Sequence, residues 1–239
     1  MLFLREQLAD KLDRVQREVL KPRGWRWVVY DAWRPRQVQA AVFQHYWDAF
    51  SASRPELGLD ALSAEVTDFV SFPADWRLVP SHTTGGSVDL GLWDDVADEL
   101  VPLGAKFDEF VPACANDYYE QPGRSQTLRD RRRVITQALR ALDVASDALE
   151  HFHKDYGNQK WAQSLGRGAA HYGEVLDCRI QDGRVLAAYS QEFSSEDLQR
   201  RVASIASGLS LSHPAEPPLA LKDVDLLVRK VVGFADLPF

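Results

Sequence analysis

The segment from 81 to 92, SHTTGGSVDLGL, constrains the fold more than any other part of the chain. Its consecutive glycines predict a loop, and the alternation that follows predicts a half-buried strand with Val88 and Leu90 facing the core. Asp89 then points to the opposite face. Because the glycines let the chain fold back, His82 can approach Asp89. An imidazole and a carboxylate both suit Zn²⁺, although a glycine turn beside a surface histidine explains the same pattern.

A second candidate site is the run Glu-His-Phe-His at 150–153. Glu150 precedes His153 by three positions, and a carboxylate that lies beside a metal without binding it can take a proton from water. On chemistry alone His151 and His153 are both candidate ligands. A hydrogen-bonded core segment is the competing interpretation.

The third candidate is Arg34, which stands between Trp33 and Pro35 in the run YDAWRP. An arginine keeps its charge at any physiological pH, so one fixed in this way can stabilise a developing oxyanion. A surface arginine that merely precedes a helix is the alternative interpretation.

Hydrophobic periodicity and turn residues predict short strands and helices along the rest of the chain. Helices are expected at 2–20, 37–50, 128–142, 195–208 and 221–233, and strands at 25–30, at 87–92 and in a hairpin around Asp182-Gly183. The apolar stripe of the second helix is expected to be Val38, Val42, Tyr46 and Phe50. For most of 51–80 the hydrophobic pattern predicts neither a helix nor a strand.

The charge balance argues against nucleic acid and anionic membranes as partners, since 28 Lys and Arg against 35 Asp and Glu give a net charge of −7. The basic run 129–133 is interpreted as the solvated start of a helix. Two cysteines do not build a disulfide framework. No apolar run approaches the roughly 20 residues of a membrane helix, and the N-terminus is unlike a signal peptide, so a cytoplasmic location is expected.

Taken together, the motifs resemble the D-alanyl-D-alanine dipeptidases, the family of the vancomycin-resistance type of zinc dipeptidase. The matching segments are YDAWRP at 30–35, SHTTGGSVDLGL at 81–92, LGAKFDEF at 103–110 and EHFHKDYGNQKWA at 150–162. The family pattern is Arg-Pro after a strand, Ser-His-x₆-Asp, Gly-x-x-Phe-Asp and Glu-x-x-His. All four motifs occur here in that order, so the resemblance covers about 30 to 176.

The resemblance implies a role for each matching residue. One zinc ion per chain would be bound by His82, Asp89 and His153. Glu150 would serve as general base and then as general acid, and Arg34 would stabilise the tetrahedral intermediate. The reaction implied is hydrolysis of D-alanyl-D-alanine or of a similar D-amino-acid dipeptide.

The same resemblance places two further residues in contact with the substrate and implies a fold. Asp108 would receive the free ammonium of the dipeptide, and Ser81 would line the same wall. The implied fold is α+β, with a small antiparallel sheet that carries the zinc site and is flanked by helices, as in the related Hedgehog signalling domain. A D,D-carboxypeptidase acting on longer cell-wall peptides and a noncatalytic zinc-binding module are the alternatives.

The chain departs from the family in three respects, of which one is that family members usually have more chain, including a strand, before the first helix. Two tryptophans usually separate the glutamate from the histidine, whereas His151 and Phe152 stand here; the three-residue spacing selects His153 as the ligand. The catalytic domain is expected to span 1–176. The extension at 177–239 has no recognised counterpart, and its amphipathic helix is expected to pack on that domain or to pair two chains as a homo-oligomer.

Overall fold

The computed structural model describes residues 2–109 and 111–213. Contacts divide the chain into two compact units, of which the first comprises Met1–Arg34 and Thr84–Gly173. The second is formed by the described parts of Pro35–Thr83 and Glu174–Phe239. The expected domains 1–176 and 177–239 stay predictions, and the helix expected at 221–233 lies outside the described residues.

The first unit begins with the amphipathic helix α1 (Glu6–Val15), which continues as a π-helical turn over Gln16–Leu20. Leu8, Leu12 and Val15 are buried on its core face, at helical spacing. The chain then ends the helical segment at Gly24, whose φ of 72° lies in the left-handed region that glycine adopts without strain. The N-terminal helix is therefore confirmed, with its regular part shorter than 2–20.

The centre of the first unit is a small antiparallel sheet. Its strands are β1 (Trp25–Asp31), β2 (Ser87–Asp94), β3 (Glu99–Leu100), β4 (Ala145–Ser146) and β5 (His153–Asp155). The strand order is β1-β2-β5-β4, and β3 pairs with β2. Helices α4 (Gln126–Arg140) and α5 (Gln159–Ser164) complete the unit. The expected combination of helices with a small antiparallel sheet is confirmed.

Strand β2 is buried on both faces, which corrects the expectation of a half-buried strand. Every residue from 87 to 92 is buried. Val88 and Leu90 belong to an apolar core that also contains residues of α1 and α4, such as Leu12 and Leu139. Strands β1 and β5 pair with its two edges, and Asp89, which lies on the opposite face from Val88 and Leu90, is buried as well.

One arginine of the basic run, Arg132, is buried, so the expectation of a fully solvated run is wrong at this position. Its guanidinium donates to the backbone carbonyls of Leu103 at 2.8 Å, Ala115 at 2.8 Å and Ala113 at 2.6 Å. Backbone carbonyls in a buried loop need donors, and arginine supplies several from one planar group. Arg132 therefore fastens the loop 103–115 to α4.

The second unit contains α2 (Arg36–Ser53), α3 (Leu59–Phe69), the hairpin β6 (Val175–Gln181) and β7 (Arg184–Tyr189), and α6 (Ser195–Ala206). The hairpin turns at Asp182-Gly183 as predicted, with φ of 50° and 72°. These values are typical of the tight turn that matches the twist of two antiparallel strands. No helix in the described part of the chain is long and apolar enough to cross a membrane.

The buried face of α2 is offset by one position from the predicted stripe. Phe43 and Trp47 are fully buried with Leu62 and Val66 of α3, whereas Val38 is 47% exposed. Burial of the large side chains of Phe43 and Trp47 favours this rotation of the helix.

A buried ion pair fixes the start of α2. Arg36 and Glu174 have side chains only 4% and 5% exposed, and two parallel hydrogen bonds of 2.8 and 2.7 Å join them. Arg36 also donates to the carbonyls of Pro73, Asp75 and Leu78. The charge of Arg36 is thus satisfied by several acceptors, and both oxygens of Glu174 accept from the same guanidinium, which meets the condition for burying a charged pair.

Candidate metal centre

Strands β2 and β5 place an aspartate directly opposite a histidine. Their register pairs Asp89 with His153, and Oδ1 of Asp89 lies 3.0 Å from Nδ1 of His153. Both side chains are buried. The strand that contains Asp89 was predicted from the alternation, whereas β5 has only three residues and leaves no periodic signal.

His82 joins this pair from the short helix Ser81–Thr84 that precedes β2. The turn after it is tight: Thr84 Oγ1 accepts the backbone N–H of Gly86 at 2.9 Å. A Cβ at Gly86 would lie 2.4 Å from the carbonyl oxygen of Tyr156, so only glycine allows this approach. The predicted fold-back of the glycine loop is therefore observed.

The three predicted ligands form one buried group. One possible ligand atom from each of His82, Asp89 and His153 lies within 4.8 Å of the others. Bonds of about 2.1 Å to a tetrahedral ion hold two ligands about 3.4 Å apart, close to the separation between Asp89 and His153. Two imidazoles and one carboxylate suit Zn²⁺ and leave a coordination position for water. The group could hold a metal ion, as the sequence predicts.

The charges around His153 favour its protonated form while no metal competes for the ring. Burial alone would lower the pKa of His153, but the charges and hydrogen bonds of Asp155 and Asp89 outweigh it and hold this pKa well above its usual value. Asp155 Oδ1 lies 3.1 Å from His153 Nε2. A metal ion at the site therefore has to displace a proton from the imidazole.

Glu150 lies in the turn before β5, and a residue that the sequence analysis missed holds this turn. Asp147 Oδ1 accepts the backbone N–H groups of Leu149 at 2.8 Å and of Glu150 at 3.2 Å. Asp147 Oδ2 accepts from Lys160 Nζ at 3.2 Å. An aspartate that accepts the N–H two residues on is a common turn former, so Asp147 could have been predicted from its place three residues before Glu150.

The environment of Glu150 suits it to exchange protons near neutral pH. The residue is only 8% exposed. Burial raises the pKa of its carboxyl group to about 7, with the charge of Asp89 acting in the same direction and those of His153 and Lys160 opposing it. An acid–base group is most effective when its pKa lies near the operating pH.

His151, the competing ligand in the sequence analysis, is not part of the three-residue group. Its backbone N–H donates to the carbonyl of Cys114 at 2.8 Å. Burial, followed by the charges of Arg132 and Lys154, lowers the pKa of His151 to about 3, so its ring is neutral. Lys154 is itself buried, and its Nζ donates to the carbonyl of His151 at 2.6 Å. This bond braces the turn between Glu150 and His153.

Arg34 is oriented by an aspartate three positions earlier. Arg34 Nε donates to Asp31 Oδ2 at 2.8 Å, and the side chain of Arg34 is 14% exposed. Asp31 Oδ1 also accepts the backbone N–H of Ala32 at 2.8 Å. Asp31 was quoted in the sequence motif without a role, and the structure assigns it the orientation of the arginine.

The two residues expected to touch substrate differ in burial. Ser81 is buried beside His82 in the chain. Asp108, which the resemblance places against the substrate's ammonium, is exposed. The preceding Phe107 turns inward and stacks on Tyr30 with ring centroids 4.7 Å apart, and Asp108 follows with a φ of 55°. The aromatic contact fixes the loop and leaves the carboxylate at its surface.

Comparison with known proteins adds no assignment to this geometry. No protein-family model matches the chain, and no curated protein matches its sequence.

Proposed function

We propose that this protein is a zinc dipeptidase that hydrolyses D-alanyl-D-alanine or a similar D-amino-acid dipeptide. The observation that carries the proposal is the buried group of His82, Asp89 and His153 with an acid–base carboxylate three residues before the last ligand. The order of the four sequence motifs supports membership in the D-alanyl-D-alanine dipeptidase family. It also supports the α+β fold of that family, which the Hedgehog domain shares.

Zinc, when bound, supplies a Lewis acid that polarises a carbonyl group and makes water easier to deprotonate. Glu150 accepts the proton of the attacking water and later transfers it to the leaving amine. Its pKa of about 7 suits both steps because the carboxyl group releases the proton as readily as it takes it. Arg34, oriented by Asp31, stabilises the charge that develops on the carbonyl oxygen.

Asp108 binds the ammonium of the substrate in this proposal. Because the carboxylate is exposed, the pair is screened by water, and an exposed ion pair contributes at most about 1 kcal/mol. N-acetylation of the dipeptide removes this charge and is therefore expected to lower the rate of hydrolysis about fivefold. The bulk of the acetyl group is expected to lower the rate further. Asp108→Asn should remove the charge-dependent part of this preference.

The test is a panel of D,D-, L,D- and L,L-dipeptides, with N-acetyl-D-Ala-D-Ala and a D-Ala-D-Ala-terminated wall pentapeptide, assayed with zinc and with a chelator. We expect zinc-dependent cleavage of D-Ala-D-Ala that Glu150→Gln abolishes while zinc stays bound. Efficient cleavage of the pentapeptide but not of the dipeptide would instead identify a D,D-carboxypeptidase. Zinc binding without hydrolysis of any peptide would identify a noncatalytic module.

A further inference from the structure

The other side of the candidate ligand His153 faces a closed polar network in the first unit. Asp155, two residues later in β5, is buried, as are Ser87 and Asn158, both of which are 0% exposed. Its Oδ1 atom lies 3.1 Å from Nε2 of His153, whereas the opposite ring nitrogen, Nδ1, faces Asp89. Asp155 does not belong to the group of possible ligands.

The position of the Asp155 carboxylate is fixed by two further donors. Its Oδ1 accepts Ser87 Oγ at 2.6 Å and Asn158 Nδ2 at 2.7 Å. Asn158 Nδ2 also donates to Ser87 Oγ at 2.8 Å, so the three side chains form a closed triangle. The Oδ1 atom of Asn158 accepts the backbone N–H of Trp161 at 2.9 Å and thereby caps α5. Rotation of the carboxylate would break several of these bonds at once.

A carboxylate held in this way determines which nitrogen of the imidazole carries the proton. A neutral imidazole has one N–H and one lone pair, and a metal ion binds only the lone pair. Asp155 accepts a hydrogen bond but offers none when ionised, so Nε2 is the protonated nitrogen. The lone pair is then on Nδ1, the atom on the side of Asp89.

We propose that Asp155 is a positioning residue that holds His153 in the tautomer whose Nδ1 binds the metal, and that Ser87 and Asn158 hold Asp155. This inference rests on the metal site of the proposed function and adds residues to it that the sequence motifs contain but gave no role. Partners of this kind are worth about 10–100-fold in metal affinity.

The experiment measures zinc affinity by competition with a chromogenic chelator for the full chain and for Asp155→Asn, Ser87→Ala and Asp143→Asn. Asp143 is a matched control because it is an aspartate of the same unit that pairs with Arg167 at the surface. We expect Asp155→Asn to weaken zinc binding about 10–100-fold and Ser87→Ala to weaken it less. The control should bind zinc as the parent does.

Nitrogen NMR of ¹⁵N-histidine-labelled, zinc-loaded protein distinguishes a positioning role of Asp155 from a merely structural one, because it reports which nitrogen of His153 carries the proton. The expected spectrum of the parent shows metal on Nδ1 and a proton on Nε2 of His153. Asp155→Asn should broaden this signal or populate the other tautomer. Circular dichroism shows whether each variant is folded. If Asp155→Asn does not fold, the zinc affinity of Ser87→Ala is used to test the inference.

Two results would overturn the inference. The first is an NMR spectrum of the parent that shows the metal on Nε2 of His153. The second is a zinc affinity of folded Asp155→Asn within twofold of the parent; if Asp155→Asn does not fold, the same result for folded Ser87→Ala counts instead. Each leaves the dipeptidase proposal standing, because zinc is still bound and the dipeptide assay decides that question separately. Failure of the parent to bind zinc at all would contradict both proposals.

Discussion

Replacement of Glu150 by glutamine should make the metal-free protein more stable at alkaline pH and change its stability little in acid. The pKa of this carboxyl group is about 7 in the folded protein against an ordinary 4.5. The folded state therefore binds more protons than the unfolded state between these two values, so stability falls as pH rises through this window. The difference between the folded and unfolded pKa values corresponds to about 3 kcal/mol in the free energy of unfolding, because a shift of one pKa unit equals about 1.4 kcal/mol.

The amide of glutamine carries no charge at any of these pH values and keeps nearly the same shape, so it avoids the cost of ionising a buried group. We expect Glu150→Gln to unfold at a higher urea concentration than the parent at pH 8. At pH 4 the two proteins should differ far less. The curve of the difference against pH should rise from about 4.5 and level off above about 7.

The assay is urea denaturation followed by tryptophan fluorescence, in the presence of a chelator and at one-unit steps from pH 4 to pH 9. Glu56→Gln is the matched control, since Glu56 is exposed and the same substitution there removes no buried carboxylate. A stability difference between Glu150→Gln and the parent that is the same at pH 5 and pH 8 would refute the reasoning, because burial would then not disfavour the ionised carboxylate.

Three further outcomes are expected. Zinc affinity should rise about tenfold per pH unit from pH 5.5 towards neutrality, since the proton held on His153 competes with the metal; a flat profile in chelator competition would contradict this. Glu174→Gln should lower the free energy of unfolding by about 3–5 kcal/mol, because Arg36 stays buried with its charge unpaired, and a loss below 1 kcal/mol in urea titrations would show the pair to be dispensable. Arg34→Lys should reduce kcat much more than it raises KM for D-Ala-D-Ala, since lysine keeps the charge and loses the planar two-pronged donor; equal kcat values would remove Arg34 from the reaction.

The local patterns of the sequence predicted those parts of the structure in which neighbours along the chain decide the outcome. The glycine loop before β2 and the turn at Asp182-Gly183 depend on backbone freedom at a few positions, and both were predicted. The helix α3 was not assigned, although Leu62 and Val66 lie on its buried face at helical spacing. Its signal is diluted by the irregular residues on either side.

The polar interior could not be predicted in the same way because its partners are far apart in the chain. Strand β5 consists of His153, Lys154 and Asp155, all buried, and no hydrophobicity pattern marks such a run as core. Their burial depends on hydrogen bonds to residues such as Ser87, 68 positions earlier than Asp155. The resemblance supplied the ligands, but the network behind them became visible only from the coordinates.

The pairing of Asp89 with His153 also gives a metal ion the role of a cross-link. These residues are 64 positions apart, and the described cysteines Cys114 and Cys178 are both free thiols. Closing a loop of that length in the unfolded chain costs about 4 kcal/mol in chain entropy by the polymer relation used for disulfides. Binding of a zinc ion to the folded site would help to offset this cost, because the unfolded chain has no preformed site for it. Exchange of the backbone amides in the β2–β5 ladder should accordingly slow when the ion is present and recover on chelation.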